Sequence, residues 1–439
     1  MNSKGWRKVR LKDLSTEGRG FYGIGASAVE YDESLLRYLR ITDISDDGFI
    51  NKEGLMSVKD EKADEYLLRE NDIVFARTGN STGRSYFYDK KDGELVYAGF
   101  LIKFNLDEKK VNPRYIKYYT ISKEYRDWVG SFSTGSTRKN INAKTYGDME
   151  INLPSREYQD LVVGIMDSIT SKIDHNNHIN QTLEEMAQAI FKHWFVDFEF
   201  PNENGEPYKS SGGKFVESEL GMIPDGWKVF SLDELTSKFT TGLNPRKNFV
   251  LGKGHNYYVT IKNMGNQQVY LDDSCDKVDD DAIKIINKRS DLREGDLLFS
   301  GIGTIGRVYL IDENPTNWNI SESIFTLRSS SELISSETLY LILLSNQLQG
   351  YAQQLASGSV QRGVRMRDLK SYNIPLPVNG LERKFSELIK PLIKMQKSLI
   401  KENEKIASIR DTLLPKLMSG EIRIPDAAQE VEKCLQKTN

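Results

Sequence analysis

A chain of 439 residues is too long for one ordinary core and suits two domains of unexceptional size. With 38% hydrophobic and 28% charged residues, no apolar run near the length of a bilayer span and no secretory signal at the N-terminus, a soluble globular protein of the cytoplasm is expected, with no membrane partner. Two cysteines far apart, Cys275 and Cys434, exclude a disulfide framework and a Cys-rich zinc site, and a net charge of -3 means that any DNA contact must rest on clustered basic residues.

The first element is a globular stretch over 1–154, in which short strand-like runs such as 72–76 alternate with Gly, Asn and Asp turns and a helical piece is expected at 113–128. Its landmarks return in order later in the chain. Gly5, Trp6, Leu11 and Leu14 recur as Gly226, Trp227, Leu232 and Leu235. Glu70-Asn71-Asp72-Ile73-Val74-Phe75 is echoed by Glu294-Gly295-Asp296-Leu297-Leu298-Phe299, and Gly83-Arg84 by Gly306-Arg307. Gly135-Ser136-Thr137-Arg138-Lys139 returns as Gly358-Ser359-Val360-Gln361-Arg362, and Ile151-Asn152-Leu153-Pro154 as Ile374-Pro375-Leu376-Pro377, both displaced by 223 positions. An ordered series of this kind is an internal repeat, and mixed strands and helices make each half α+β.

A helix-period segment follows over 155–198. Written at alternating steps of three and four, its seam runs Val162, Ile165, Ile169, Lys172, Asn176, Ile179, Leu183, Met186 and Ile190, apolar at seven of nine positions. Residues 199–224, rich in Pro, Gly, Ser, Asn and charge, read as a linker. The second globular stretch, 225–377, has a helical piece at 336–356, and a second helix over 378–420 carries the equivalent seam: Phe385, Leu388, Leu392, Met395, Leu399, Glu402, Ile406, Ile409 and Leu413, apolar at eight of nine. Pro391 predicts a kink or a start near that point, Gly420 a C-terminal stop, and 421–439 a tail. A helix of roughly 35 residues is about 50 Å long, a spacer length. Equal register in the two seams predicts mutual pairing, and antiparallel pairing leaves the linker little distance to cover.

The segment Gln181-Thr182-Leu183-Glu184-Glu185-Met186-Ala187-Gln188-Ala189-Ile190-Phe191-Lys192-His193-Trp194-Phe195-Val196-Asp197-Phe198 resembles the central conserved region of type I restriction-modification specificity subunits, and so does the closing stretch Leu413-Leu414-Pro415-Lys416-Leu417-Met418-Ser419-Gly420-Glu421-Ile422. With the Gly-Trp openings and the Leu-Pro exits, the resemblance covers nearly the whole chain. It implies two target-recognition domains, each reading half of a split double-stranded DNA site, separated by two long helices that form an antiparallel coiled coil within a pseudo-two-fold repeat. It also implies two modification subunits bound to the helical regions, using S-adenosylmethionine on adenine, and restriction subunits using ATP. No catalytic residue, cofactor or metal site is then expected in this chain. Two similar readers suit the approximate dyad of duplex DNA, and their differing surfaces predict an asymmetric target. A protein-interaction scaffold is the alternative.

The strongest DNA-contact candidates are two basic loops, 133–144 and 357–370, carrying Ser136, Thr137, Arg138, Lys139, Asn140 and Lys144 in the first half and Ser359, Gln361, Arg362, Arg365, Arg367 and Lys370 in the second. Arg addresses guanine edges, Asn and Gln address adenine, and Lys, Ser and Thr address phosphates. Arg77, Arg84 and Arg307 flank glycine turns where phosphate is the expected contact; Tyr22, Arg40, Thr42, Lys262 and Asn263 are weaker candidates. Gly301-Ile302-Gly303-Thr304-Ile305-Gly306 matches a dinucleotide-loop pattern, but a strand-like run follows it where a helix is needed, so a turn is expected. No Pro-Pro occurs, which argues against a DNA amino-methyltransferase motif. His175 and His178 read as a solvated helix face, His193 and Trp194 as packing residues, and His255 has no evident partner.

Overall fold

In the computed structural model, the structure describes residues 6–51, 54–132, 140–265, 267–356, 363–378, 380–422, 427, 429 and 431. The chain divides into two compact units, 1–177 with 401–439, and 178–400. The division falls within both long helices, Arg156–Phe191 and Leu381–Met418.

Unit 1 is built on an antiparallel sheet in the order Phe21–Tyr22, Leu101–Asn105, Asp72–Ala76, Ser85–Phe87. The central strand Asp72–Ala76 is buried along its whole length, as its continuous apolar run requires. A second sheet pairs Leu36–Leu39 in parallel with Leu95–Tyr97. Unit 2 repeats the plan: Thr236–Thr241, Ile324–Ser329, Leu297–Ser300 and Val308–Leu310 form the antiparallel sheet, and Asn256–Val259 pairs in parallel with Trp318–Ile320. Each opening is tied to its exit by a two-stranded ribbon, Arg7–Arg10 with Glu150–Leu153 and Trp227–Ser231 with Asn373–Pro377.

The repeated motifs have repeated physical causes. Asn71 and Gly295 hold left-handed backbone at φ 67° and 85°, and the Asp that follows closes the turn. Asp72 accepts from Arg69 N at 2.7 Å and Asp296 from Arg293 N at 2.9 Å. Burial pushes the Asp72 carboxyl above its ordinary range, opposed by Lys103 at 3.4 Å. The helical pieces each break once, at Ser122 and Ser345, whose hydroxyls cap the next helix by accepting from Tyr125 N and Leu348 N.

In unit 1, Val162, Met166 and Ile169 from the first long helix share a core with Ile406, Leu413 and Leu417 from the second. In unit 2, Ala187 and Phe191 share one with Phe385, Ile389 and Ile393. The early part of each helix thus meets the late part of the other, and the two run antiparallel. The seam departs from the expected steps in unit 2. Leu183, Ala187, Phe191, Phe385, Ile389 and Ile393 are buried, whereas Met186, Leu388 and Met395 are about half exposed, at 47%, 47% and 49%. A helix of 3.6 residues per turn drifts away from a strict 3.5-residue seam, and the small Ala187 takes the place expected for Met186.

Two further expectations are corrected. The second long helix does not start near Pro391; it begins at Leu381 and continues past that exposed proline. Residues 199–224 are not a plain linker but contain the hairpin Phe215–Ser218 with Gly221–Pro224. Aromatic residues scattered through that polar stretch anchor it: Phe200 stacks on Tyr208 at 4.5 Å and on Trp227 at 5.2 Å. A left-handed residue follows each long helix: Gly420 at φ 70° and, beyond the π-helical turn Lys192–Val196, Phe198 at φ 60°. Gly420 lies against Trp6 and Phe198 packs edge-on against Trp227 at 5.4 Å, so the two Gly-Trp openings seat equivalent tryptophans at helix ends. Trp194 packs on Phe385 at 5.4 Å, while His193 is exposed.

Candidate nucleic-acid interface

Each unit lays one turn of its antiparallel sheet against the segment ahead of a short helix. In unit 1 the turn after Asp72–Ala76 meets the segment ahead of Ala143–Gly147: Thr78 bridges Asn140, and Ile141 N donates to Arg77 O at 2.9 Å. In unit 2 the turn after Leu297–Ser300 meets the segment ahead of Met366–Lys370: Ile302 bridges Gly363, and Val364 N donates to Gly301 O at 2.8 Å. The two segments nominated from sequence in each half are therefore brought together twice, by one hydrogen-bonding device.

Glycine makes these turns possible. Gly83 and Gly306 sit at φ 93° and 95°, and a Cβ there would lie 2.5 Å from Val129 and 2.1 Å from Gln349. Their carbonyls accept from Tyr125 Oη at 2.7 Å and Gln349 Nε2 at 2.9 Å. The Gly301–Gly306 pattern joins the antiparallel strands Leu297–Ser300 and Val308–Leu310, so no helix follows to carry a nucleotide phosphate.

The basic candidates divide into two groups. Arg84 and Arg307 are used within the fold rather than at its surface. Arg84 donates through Nε and Nη2 to the Asp46 carboxylate at 2.8 and 3.2 Å and through Nη1 to Ile44 O at 3.1 Å. Arg307 Nη1 donates to Met264 O. Ile44 and Met264 end equivalent short turns, Ile41–Asp43 and Ile261–Asn263, whose carbonyls need donors away from water. The weaker candidates Arg40 and Asn263 close those same turns. Arg40 forms a side-chain pair with Asp43 that holds its guanidinium above the ordinary range, and Asn263 is fully buried against Thr260 and Ser274.

Lys144, Arg365, Arg367 and Asn140 are exposed. Arg367 touches Asp368 at 3.2 Å, Lys370 pairs with Asp233 at 2.8 Å, and Lys262 lies 3.6 Å from Asp276, while the exposed Thr42 contacts Asp43. Arg77 is half-buried with its guanidinium 4.9 Å from the ring centre of Tyr22, which is 43% exposed. Ser136, Thr137, Arg138, Lys139, Ser359, Gln361 and Arg362 lie outside the described residues. Two aromatic features escaped sequence reasoning: Phe100, 59% exposed beside Arg77, and Lys277 over Tyr257 at 3.4 Å. An exposed Phe after Ala98-Gly99 was the available signal for the first; the cross-strand pair behind the second had none.

A family model described as type I restriction modification DNA specificity domain matches residues 3–185 and again 224–409. This chain belongs to that family. The type I restriction enzyme HindI specificity subunit of Haemophilus influenzae is 24% identical to it, with 95% of this chain and 99% of the relative covered. The MjaIX specificity subunit of Methanocaldococcus jannaschii is also 24% identical, over 71% of this chain and 69% of the relative. Among solved structures, the type I restriction-modification S subunit from M. genitalium has the same fold, with a TM-score of 0.52 at 15% identity over 94% of this chain and 96% of that one. The two family-model matches begin and end close to the internal repeat, so the specificity domain is duplicated here.

No group of three His, Cys, Asp or Glu residues suited to a metal occurs among the described residues of this specificity-domain chain. His175 and His178 are exposed on the first long helix, and His255 lies 3.6 Å from Asp280. Among the described residues no helix is long and apolar enough to cross a membrane.

Proposed function

We propose that this chain recognises an asymmetric, two-part sequence in double-stranded DNA as the specificity subunit of a type I restriction-modification complex in the cytoplasm. The observation that carries this is the turn-against-segment device built twice on one framework. Thr78 with Asn140 and Ile302 with Gly363 form two partly exposed edges close in the chain to Lys144 in one unit and to Arg365 and Arg367 in the other. The frameworks match while the surface residues differ, so the two words read should be unlike. The contact set comprises Asn140 and Lys144 in unit 1 and Arg365 and Arg367 in unit 2, extended by Ser136, Thr137, Arg138, Lys139, Ser359, Gln361 and Arg362. Charged residues of this kind set position and affinity through phosphates, and the polar side chains among them address base edges.

The chain itself is non-catalytic and takes no cofactor in this reading. Two modification subunits dock on the paired helices and transfer a methyl group to adenine from S-adenosylmethionine; restriction subunits join through the complex and use ATP. Co-expression with the modification subunits, followed by mapping of DNA methylation, tests this. Methylated adenine is expected in one split, asymmetric word and only when this chain is present. An assembled complex with no sequence preference, or with binding indifferent to salt, would leave an interaction scaffold as the better reading.

A further inference from the structure

The exposed edge of unit 1 carries a cluster with no equivalent in unit 2. Arg77 N donates to Phe100 O at 3.0 Å, and Tyr22 pairs with Ile102 on the adjoining strand, so Tyr22, Arg77 and Phe100 share one corner. In unit 2 the same framework positions are marked by the same hydrogen bonds: Gly301 N donates to Ser323 O at 3.0 Å and Thr241 pairs with Phe325. Arg77, Tyr22 and Phe100 are therefore replaced by Gly301, Thr241 and Ser323, three small residues.

Within the corner, Arg77 lies against the Tyr22 ring at 4.9 Å, and Tyr22 is held from its other end, where its Oη accepts from Ala143 N at 3.2 Å. The Arg77 Nε is buried and makes no hydrogen bond, and the guanidinium has no ion-pair partner among the described residues. The other arginines of the turn region behave differently, since Arg84 and Arg40 are ion-paired with Asp46 and Asp43. A buried donor left unpaired costs about 1–3 kcal/mol, a cost carried here at Nε to hold the guanidinium against Tyr22. With Nε covered, only the two Nη groups can reach another molecule, side by side at the end of the fork. That end presents two parallel donors, the complement of O6 and N7 on the major-groove edge of guanine. Contact with the Tyr22 ring at 4.9 Å restrains the fork in advance, so less conformational freedom is lost on binding.

Resting on the DNA-recognition reading above, we infer that Arg77, pre-oriented on Tyr22, reads a guanine in the half-site of unit 1 and makes that half-site unlike the one read by unit 2. Phe100 beside it supplies an apolar face suited to the methyl group of a neighbouring thymine.

The test is selection from a randomised duplex library by the complex with its modification subunits, using wild type, Arg77→Ala, Arg77→Lys and Tyr22→Ala. Wild type selects a split word with one G·C pair in the unit 1 half. Arg77→Ala loses about 10- to 100-fold of the preference at that pair, and the unit 2 half-site is unchanged, which serves as the internal control for folding. Arg77→Lys keeps affinity for DNA but not the preference, because an ammonium is a point donor without the planar fork. Tyr22→Ala weakens the preference at the same pair. An unchanged unit 1 word with Arg77→Ala, or weaker binding spread evenly over all sequences, overturns the inference while leaving the proposed function standing. A wild-type complex that selects no word overturns the function itself.

Discussion

Asn176 Nδ2 donates to Glu402 Oε2 at 3.1 Å across the two long helices, and Lys172 Nζ meets the other carboxylate oxygen at 3.1 Å. Asn176 is fully buried and also donates to Asn403 Oδ1 at 2.8 Å. Lys172, Asn176 and Glu402 are the polar interruptions of the two seams, and they interrupt them at one shared layer. Shifting one helix by a turn would set each of them against apolar neighbours, so the layer selects the register at some expense of stability.

Removing one member therefore does more harm than removing all three. Glu402→Leu leaves Lys172 without its partner and Asn176 with Asn403 alone, and should destabilise unit 1 by about 1–3 kcal/mol. The triple replacement of Lys172, Asn176 and Glu402 by Leu should be neutral or stabilising by about 1 kcal/mol or more. Urea melts of the full chain measure both, and a triple variant less stable than Glu402→Leu would contradict the assignment.

Arg84 and Arg307 are structural, whereas Lys144 and Arg365 are exposed. Arg84→Ala should lower the melting temperature without altering which word is bound. Lys144→Ala and Arg365→Ala should leave stability within about 0.5 kcal/mol and each reduce the slope of log affinity against log salt by about 1. A change of word with Arg84→Ala would return that residue to the interface.

Glycine turns separate backbone need from space. Gly79 sits at φ 75° with open surroundings, while at Gly83, with φ 93°, an added methyl group would meet Val129 at 2.5 Å. Gly79→Ala should cost about 1–2 kcal/mol, the left-handed penalty alone. Gly83→Ala adds a clash with a branched side chain, so its loss should be larger by about 1–3 kcal/mol. Equal losses in thermal melts would show that Val129 yields freely.

At the helix ends, Phe198 occupies backbone that favours glycine because its ring packs on Trp227 at 5.4 Å and Phe215 at 5.9 Å. Phe198→Gly relieves about 1 kcal/mol of backbone strain but forfeits a packed aromatic side chain, and the net loss should be about 2–4 kcal/mol. A stabilised variant in denaturant titration would refute the view that these ring contacts hold the left-handed end in place.

Asp72 binds its proton more tightly in the folded chain, because burial raises its carboxyl above the ordinary range. Between the ordinary value of 3.8 and the raised one the folded state carries more protons than the unfolded state, so this group's contribution to stability falls as pH climbs through that window. Asp72→Asn keeps an acceptor for Arg69 N and removes the titration. The stability of wild type minus that of the variant should decline on going from about pH 3.5 to neutrality; a constant difference in urea melts across that range would remove the burial argument.

The order of landmarks, the α+β class, the two helix-period segments and the basic loops are determined by residue type and spacing alone, because turn chemistry and apolar periodicity act over a few neighbouring residues. Asn71 and Gly295 are of the residue types that most readily take left-handed backbone. Tertiary structure decided which face of each helix is buried, since the drift between 3.6 and 3.5 residues per turn is settled only by a partner and left Met186, Leu388 and Met395 outside. It likewise decided that Arg84 and Arg307 spend their donors on carbonyls some 40 residues away in the chain, while the buried Nε of Arg77 is left without a hydrogen bond. An arginine beside a glycine turn looks the same in sequence whichever it does, because what separates the two cases is the set of acceptors that folding brings within reach.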